Sequence, residues 1–182
     1  MTEGFTIERL GSSHDRSAFS CGTPALDRYL RELATQDIHR RVSNCFVALD
    51  QTGRIAGYYT FAATSLPLGE LLPEQARRLP RYAVFPACLV GRLAVDQQFR
   101  GQGLGAALIV DAVARAIRAE PAIFALIVDA KDEAALGFYE HLGFHHFTRR
   151  PISLYLPLAE AARRHDDGRL WVALGDTAIE LS

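Results

Sequence analysis

At 182 residues the chain has the length of one ordinary domain, enough to bury roughly two-thirds of its unfolded surface. Hydrophobic residues make up 49% and charged residues 23%, a globular profile that excludes disordered and fibrous classes. The formal net charge of −1 gives no global case for nucleic-acid binding, so any such role must rest on a local patch.

Phe5 to Leu10 reads as a first strand. Thr23-Pro24 reads as a helix start, with Thr23 as N-cap and Pro24 at the first helical position. Leu26, Tyr29, Leu30 and Leu33 then repeat at helical spacing until His39-Arg40-Arg41. Cys45–Leu49 and Ile55–Ala63 read as strands joined by the turn residues Asp50-Gln51-Thr52-Gly53. Pro67 to Pro86 is a proline-punctuated insertion with one short helix expected over Pro73–Leu79. Ala87–Val95 reads as one long apolar strand whose odd feature is Gly91-Arg92. Gly103–Ile117 reads as a mostly apolar helix, its polar face limited to Asp111, Arg115 and Arg118. Ile123–Val128 is an apolar strand, and Lys131–His141 a helix with Gly143 at C′. Phe144–Phe147 and Ile152–Leu156 read as the closing strands. Strand–helix–strand in the middle implies a crossover with parallel pairing, and hairpins on either side make the sheet mixed, an α+β (mixed α/β) class.

The three cysteines, Cys21, Cys45 and Cys88, show neither a disulfide framework nor metal-type spacing, so a reducing cytoplasm and no metal are expected. Met1 to Phe5 has no basic n-region or apolar h-region, so no signal peptide is read. The longest apolar stretch, Leu104–Val110, is far too short to span a bilayer, so no membrane contact is expected.

The most informative run is Val95-Asp96-Gln97-Gln98-Phe99-Arg100-Gly101-Gln102-Gly103-Leu104-Gly105-Ala106. Its glycines let the backbone bend tightly and approach a ligand with no Cβ in the way. A helix begins there, so free N–H groups and the helix dipole offer a seat for a pyrophosphate. The plain alternative is a glycine-rich turn that only starts a helix. Gly101-x-Gly103-x-x-Ala106 also fits the dinucleotide fingerprint, but Asp96 to Arg100 separate it from its strand and it sits mid-chain. No Gly-Lys-Ser/Thr follows, which excludes a Walker loop.

Arg100-x-x-Gly103-x-Gly105 resembles the pyrophosphate signature of the GNAT acetyltransferases, and the block Asp132 to Phe144 is similar to that family's second motif, N-x-x-A-x-x-x-Y-x-x-x-G-F. The departure is Asp132 where many members have Asn. The resemblance implies a V-splayed mixed sheet of six to seven strands with about four helices, and acetyl-CoA as cofactor. By position, the pantetheine arm would pair with Leu93, Ala94 and Val95. The pyrophosphate would sit on the amides of Arg100, Gly101, Gln102, Gly103, Leu104 and Gly105. Asp132, Ala135 and Phe138 would line the cofactor. Tyr139 would be the general acid that protonates the departing thiolate; read from the residues alone, Ala135, Phe138, Tyr139 and Leu142 also form an ordinary core stripe. Asp96, Asp129 and Glu140 are the carboxylates near these motifs, and each suits a capping or solvated role better than that of a base.

Further segments, Phe19-Ser20-Cys21-Gly22, Leu26-Asp27-x-Tyr29-Leu30, Gly57-Tyr58-Tyr59, Gly91 to Asp96 and Val128 to Lys131, resemble the GNAT toxins of type II toxin–antitoxin modules. That branch acetylates the α-amine of aminoacyl-tRNA and is covered by a ribbon-helix-helix antitoxin, through which alone DNA is contacted. The resemblance spans roughly residues 5 to 157. Arg40 and Arg41, Arg77 and Arg78 with Arg81, and Arg149 and Arg150 could hold tRNA phosphates, or could be helix caps and solvated faces. Arg92, within an apolar strand, is expected to be buried and to need either an internal anionic partner, such as Asp96 or Glu140, or a ligand, which would make it a substrate residue. Other acceptors stay open: a small amine or a protein N-terminus. A non-catalytic acyl-CoA-binding module is the reading from another class. Residues 1–157 are expected to form the catalytic domain. The extension 158–182 is read as a charged linker, Ala161 to Gly168, leading to Leu170–Leu174, which is either a last strand or helix docked on the domain or a segment whose Trp171 would bury in a homodimer or antitoxin interface.

Overall fold

The apolar runs become strands and the 3.6-period runs become helices, but several boundaries move for identifiable reasons. A computed structural model of the chain describes residues 4–166. Two compact units emerge: residues 4–62 with 91–112, and residues 63–90 with 113–166.

In the first unit, β1 (Thr6–Arg9), β2 (Asn44–Leu49) and β3 (Ile55–Pro67) form an antiparallel series, and β5 (Leu93–Val95) pairs antiparallel with β3. The β2–β3 turn closes as its residues predict. Asp50 Oδ1 accepts the Thr52 and Arg54 N–H groups, and Gly53 takes φ +83°. Helix α1 (Pro24–Arg28) passes through a π-helical turn (Tyr29–Leu33) into α2 (Ala34–His39). Thr23 stands at the N-cap, yet its side chain makes no capping bond. The π turn carries one residue more than an α turn, so the buried stripe runs Tyr29, Leu30, Ala34. Leu33, expected in that stripe, is consequently exposed. The unit's core gathers Leu10, Phe19, Leu30, Val47, Ile55 and Tyr58.

In the second unit, β3 continues past residue 62 in a sheet of order β3–β4–β6–β8–β7. β4 is Val84–Val90, β6 Ala125–Asp129, β7 His145–His146 and β8 Ser153–Pro157. β4 and β6 are parallel, Ala87 opposite Ala125 and Val90 opposite Val128, while β8 is antiparallel to both β6 and β7, so the sheet is mixed as expected. The expected strand over 87–95 is two strands. β4 ends at Val90, β5 starts at Leu93, and Gly91-Arg92 is the break. With β7 and β8 this gives eight strands among the described residues. The insertion holds a 3-10 turn at Leu68–Glu70 and a helix α3 limited to Pro73–Ala76. α4 (Leu104–Arg118) begins in the first unit and ends in the second. Asp111, expected on its polar face, is 3% exposed, because its carboxylate accepts the Tyr59 hydroxyl at 2.5 Å. α5 is Glu133–His141, and α6 is Leu158–Asp166. Residues 161–166, expected as linker, are therefore helical. Leu158 and Ala161 are buried, and Arg164 pairs with Glu160 one turn back. The Leu170–Leu174 segment and Trp171 lie outside the described residues.

Candidate active site

β5 covers the three residues expected to hold the cofactor arm. Leu93, Ala94 and Val95 face Tyr59, Tyr58 and Gly57 of β3. Close approach requires Gly57: a Cβ there would stand 3.0 Å from the Ala94 carbonyl oxygen. Asp96 follows, 1% exposed, and caps a 3-10 turn over Gln97–Phe99 by accepting the Gln98 N–H at 2.9 Å. Arg100 is extended, and Gly101 and Gly103 both take φ +76°, the left-handed region that glycine enters freely. A Cβ at either glycine would meet nothing within 4 Å, so their requirement is conformational and the space beside them is open. α4 then starts at Leu104. Ala107 N–H already bonds Gly103 O, while the amides of Leu104, Gly105 and Ala106 precede any intrahelical acceptor. This open, left-handed loop ending in free helix amides fits a pyrophosphate.

The segment Phe19 to Gly22 is strapped to this loop. Ser20 N–H donates to Asp96 Oδ2 at 3.0 Å, Gln97 N–H donates to Ser20 O at 2.9 Å, and the Arg100 guanidinium donates to Cys21 O. Gly22 takes φ +85°, and a Cβ there would lie 2.7 Å from Gln97 Nε2. Asp27, 6% exposed, accepts the Cys21 N–H at 2.8 Å and fixes the strap from the α1 side. Sequence reasoning missed this work of Asp27. Its signal was an aspartate inside the first turn of an otherwise apolar helix face.

In the second unit, α5 is capped by Asp132, whose Oδ1 accepts the Ala135 N–H at 2.8 Å. That amide bond, with Lys131 at 3.1 Å adding, lowers the carboxyl's pKa. The position therefore works as an N-cap, which aspartate and asparagine fill about equally well, and the departure from the family's Asn leaves it intact. Ala135 takes part as the capped donor. One turn on, Tyr139 is 4% exposed, its ring 5.1 Å from Phe138 and 5.6 Å from Phe144. Burial, with the Asp129 carboxylate adding, raises the Tyr139 hydroxyl above its ordinary value. Among the described residues, none hydrogen-bonds that hydroxyl. The carboxylates weighed as bases are occupied: Asp96 caps, Asp129 accepts from Ser153 at 2.7 Å, and Glu140 pairs with His146 at 2.5 Å.

The arginines divide between the units. Arg40 and Arg41 end α2, both exposed, with Arg41 at φ +59°. Arg77 and Arg78 are exposed after α3, and Arg77 folds back onto Pro73 O at 3.3 Å. Arg150 is committed to Glu70 at 2.6 Å. Arg92 is exposed rather than buried, because the strand breaks at Gly91; its guanidinium carbon lies 3.8 Å from the Tyr29 ring centroid. All three cysteines are buried and free, and burial raises each thiol, Cys45 to about 12. None is suited to carry an acyl group as a thiolate.

Residues 41–146 match the acetyltransferase (GNAT) domain family. A protein of Mycobacterium tuberculosis (strain ATCC 25618 / H37Rv) named tRNA-acetylating toxin is 34% identical over 155 residues, 84% of this chain and 92% of the relative. Among solved structures, AtaT complexed with acetyl-methionyl-tRNAfMet superposes with a TM-score of 0.80 at 26% identity, covering 88% of this chain and 99% of AtaT. AtaTR bound with acetyl-CoA gives 0.74 at 26% identity, covering 89% of this chain and 98% of that one. A tyrosine-to-phenylalanine mutant of the AtaT toxin bound to the C-terminus of the antitoxin AtaR gives 0.72 at 25% identity, covering 88% and 98%.

Proposed function

This chain belongs to the GNAT family of acetyltransferases, and we propose that it is a toxin that acetylates the α-amine of aminoacyl-tRNA and thereby stops translation. The observation that carries this is the intact Arg100–Gly105 cradle in a chain 34% identical to a tRNA-acetylating toxin. Acetyl-CoA, when bound, supplies an activated acetyl thioester. The amides of Arg100 to Gly105 hold its pyrophosphate, and the β5 backbone at Leu93–Val95 holds its arm. A β5 N–H, that of Val95, polarises the carbonyl oxygen.

Tyr139 Oη holds the proton that the leaving sulfur needs. Burial keeps that proton in place at neutral pH, so the hydroxyl is available as a donor. Attack is direct: the three cysteines are buried with raised thiols, so none of them offers a thiolate for an acyl-enzyme. An aminoacyl ester's amine is a weak base, largely neutral near pH 8, so no strong protein base is required; the proton that the nitrogen sheds as the amide forms returns to the Tyr139 oxygen, directly or through water, as the thiolate leaves as thiol. Asp132 and Ala135 set the start of α5 and thereby the height of Phe138 and Tyr139 on it.

Among the described residues no helix is long and apolar enough to cross a membrane. A cytoplasmic location follows in the proposal from the substrate, since charged tRNA is used there. The expected protein partner is a ribbon-helix-helix antitoxin. Residues 1–157 are the catalytic domain, and 158–182 an extension that begins on α6 and serves homodimer or antitoxin contact. Induced expression in growing cells tests the proposal. It predicts growth arrest, relieved by Tyr139→Phe; acetylation of small amines without arrest would point to another acceptor.

A further inference from the structure

Three segments far apart in sequence meet at one exposed side chain. The Arg92 guanidinium lies over the Tyr29 ring, 3.8 Å from its centroid. Tyr29 stacks in turn on Tyr58, with centroids 6.3 Å apart and planes 16° from parallel. Both rings are buried, at 3% and 0% exposure, and both hydroxyls are committed. Tyr29 donates to Asp37 at 2.8 Å, and Tyr58 to Leu26 O at 2.7 Å. The Arg92 backbone is pinned as well: its N–H donates to Thr60 Oγ1 and its carbonyl accepts the Thr60 N–H, each at 3.0 Å. Only the guanidinium edge remains uncommitted, and among the described residues no carboxylate pairs with it.

We propose that Arg92, seated on the Tyr29–Tyr58 stack, binds the phosphodiester nearest the charged 3′ end of the acceptor tRNA and so orients the α-amine for transfer. This rests on the aminoacyl-tRNA reading above. A free arginine side chain gives up rotamer entropy when it grips an anion; here the stack has already removed it. A planar fork held flat on a ring still presents two parallel N–H groups in its plane, the geometry that a phosphate accepts. Arg92 directly precedes Leu93–Val95, the strand assigned to the acetyl-bearing arm. In an aminoacyl ester of a terminal nucleoside, the nearest fixed anion is that nucleoside's own phosphodiester. A polyamine or free amino-acid ester has none, so Arg92 selects for a nucleic-acid carrier as well as positioning it.

The test compares wild type, Arg92→Gln and Arg92→Lys on two acceptors: aminoacyl-tRNA, and the same amino acid esterified to adenosine without phosphate. Arg92→Gln is expected to raise KM for aminoacyl-tRNA about tenfold and to reduce the salt dependence of binding by about one unit of slope. Arg92→Lys, which keeps the charge and loses the fork, should fall between. On the phosphate-free ester the three proteins should share one KM, and the KM for acetyl-CoA should not move. An equal loss on both acceptors, or no loss on either, overturns the assignment. Wild type that acetylates neither acceptor overturns the tRNA reading, and this assignment with it. Wild type active on aminoacyl-tRNA with Arg92→Gln unimpaired overturns the Arg92 assignment alone.

Discussion

Asp96 Oδ2 accepts the Ser20 N–H at 3.0 Å, so the carboxylate that ends β5 holds the N-terminal strap against the start of the phosphate loop. Its Oδ1 accepts the Gln98 N–H at 2.9 Å, and Arg54 approaches Oδ2 at 3.4 Å. Asp96→Ala leaves two amides without acceptors and is expected to cost about 2–4 kcal/mol, read by denaturant unfolding. KM for acetyl-CoA should rise, because the loop loses its anchor. Asp96→Asn keeps one acceptor oxygen and should lose less. An unchanged unfolding midpoint for Asp96→Ala would contradict this.

Tyr139→Phe should separate chemistry from folding. The hydroxyl has no hydrogen-bond partner among the described residues, while the ring packs on Phe138 and Phe144. Stability should change by less than about 0.5 kcal/mol. Turnover should fall about 10²- to 10⁴-fold, with KM for acetyl-CoA within about twofold of wild type. Steady-state kinetics beside thermal melts decide it; retained turnover would remove Tyr139 from the mechanism.

The pH profile carries a sign. An ordinary tyrosine titrates near about 10, and burial with the Asp129 carboxylate raises Tyr139 above that. A phenol with a raised pKa keeps its proton to higher pH, so the acid is not lost on the alkaline side. The rate should climb as the acceptor amine loses its proton, near or below the α-amine value of about 8, then stay level. A descending limb centred at or below about 10, in protein that remains folded, would assign the proton to another group.

Gly101 and Gly103 make a conformational demand without a steric one, since no atom lies within 4 Å of either would-be Cβ. Gly103→Ala should therefore weaken acetyl-CoA binding by about 1 kcal/mol, roughly fivefold in Kd, through backbone strain. Gly103→Asn, although larger, should lose less, because asparagine tolerates the left-handed region. Titration calorimetry checks the order; a greater loss for Asn would mean that bulk, not φ, governs the loop.

The glycine turn before α4 and the end of α5 were legible in the sequence because their causes are local. Left-handed turns need glycine, as at 101 and 103, and a helix stop favours it at C′, as at Gly143. What escaped depends on distant partners. Leu33 fits the helical stripe by spacing, yet the π turn rotates it out. Asp111 looks like surface until the Tyr59 hydroxyl reaches it. Arg92 looks buried until the strand breaks at Gly91 and Tyr29 supplies a ring. In each case the deciding contact comes from an element outside the local pattern, which hydrophobic periodicity does not encode.

The most direct measurement is cell-free translation with purified protein, with and without acetyl-CoA, followed by mass analysis of the aminoacyl-tRNA pool. The account predicts inhibition only when acetyl-CoA is present, accompanied by aminoacyl-tRNA carrying an acetyl group on its α-amine, with both effects lost in Tyr139→Phe. Unimpaired translation and an unmodified pool, from protein that still binds acetyl-CoA, would contradict it.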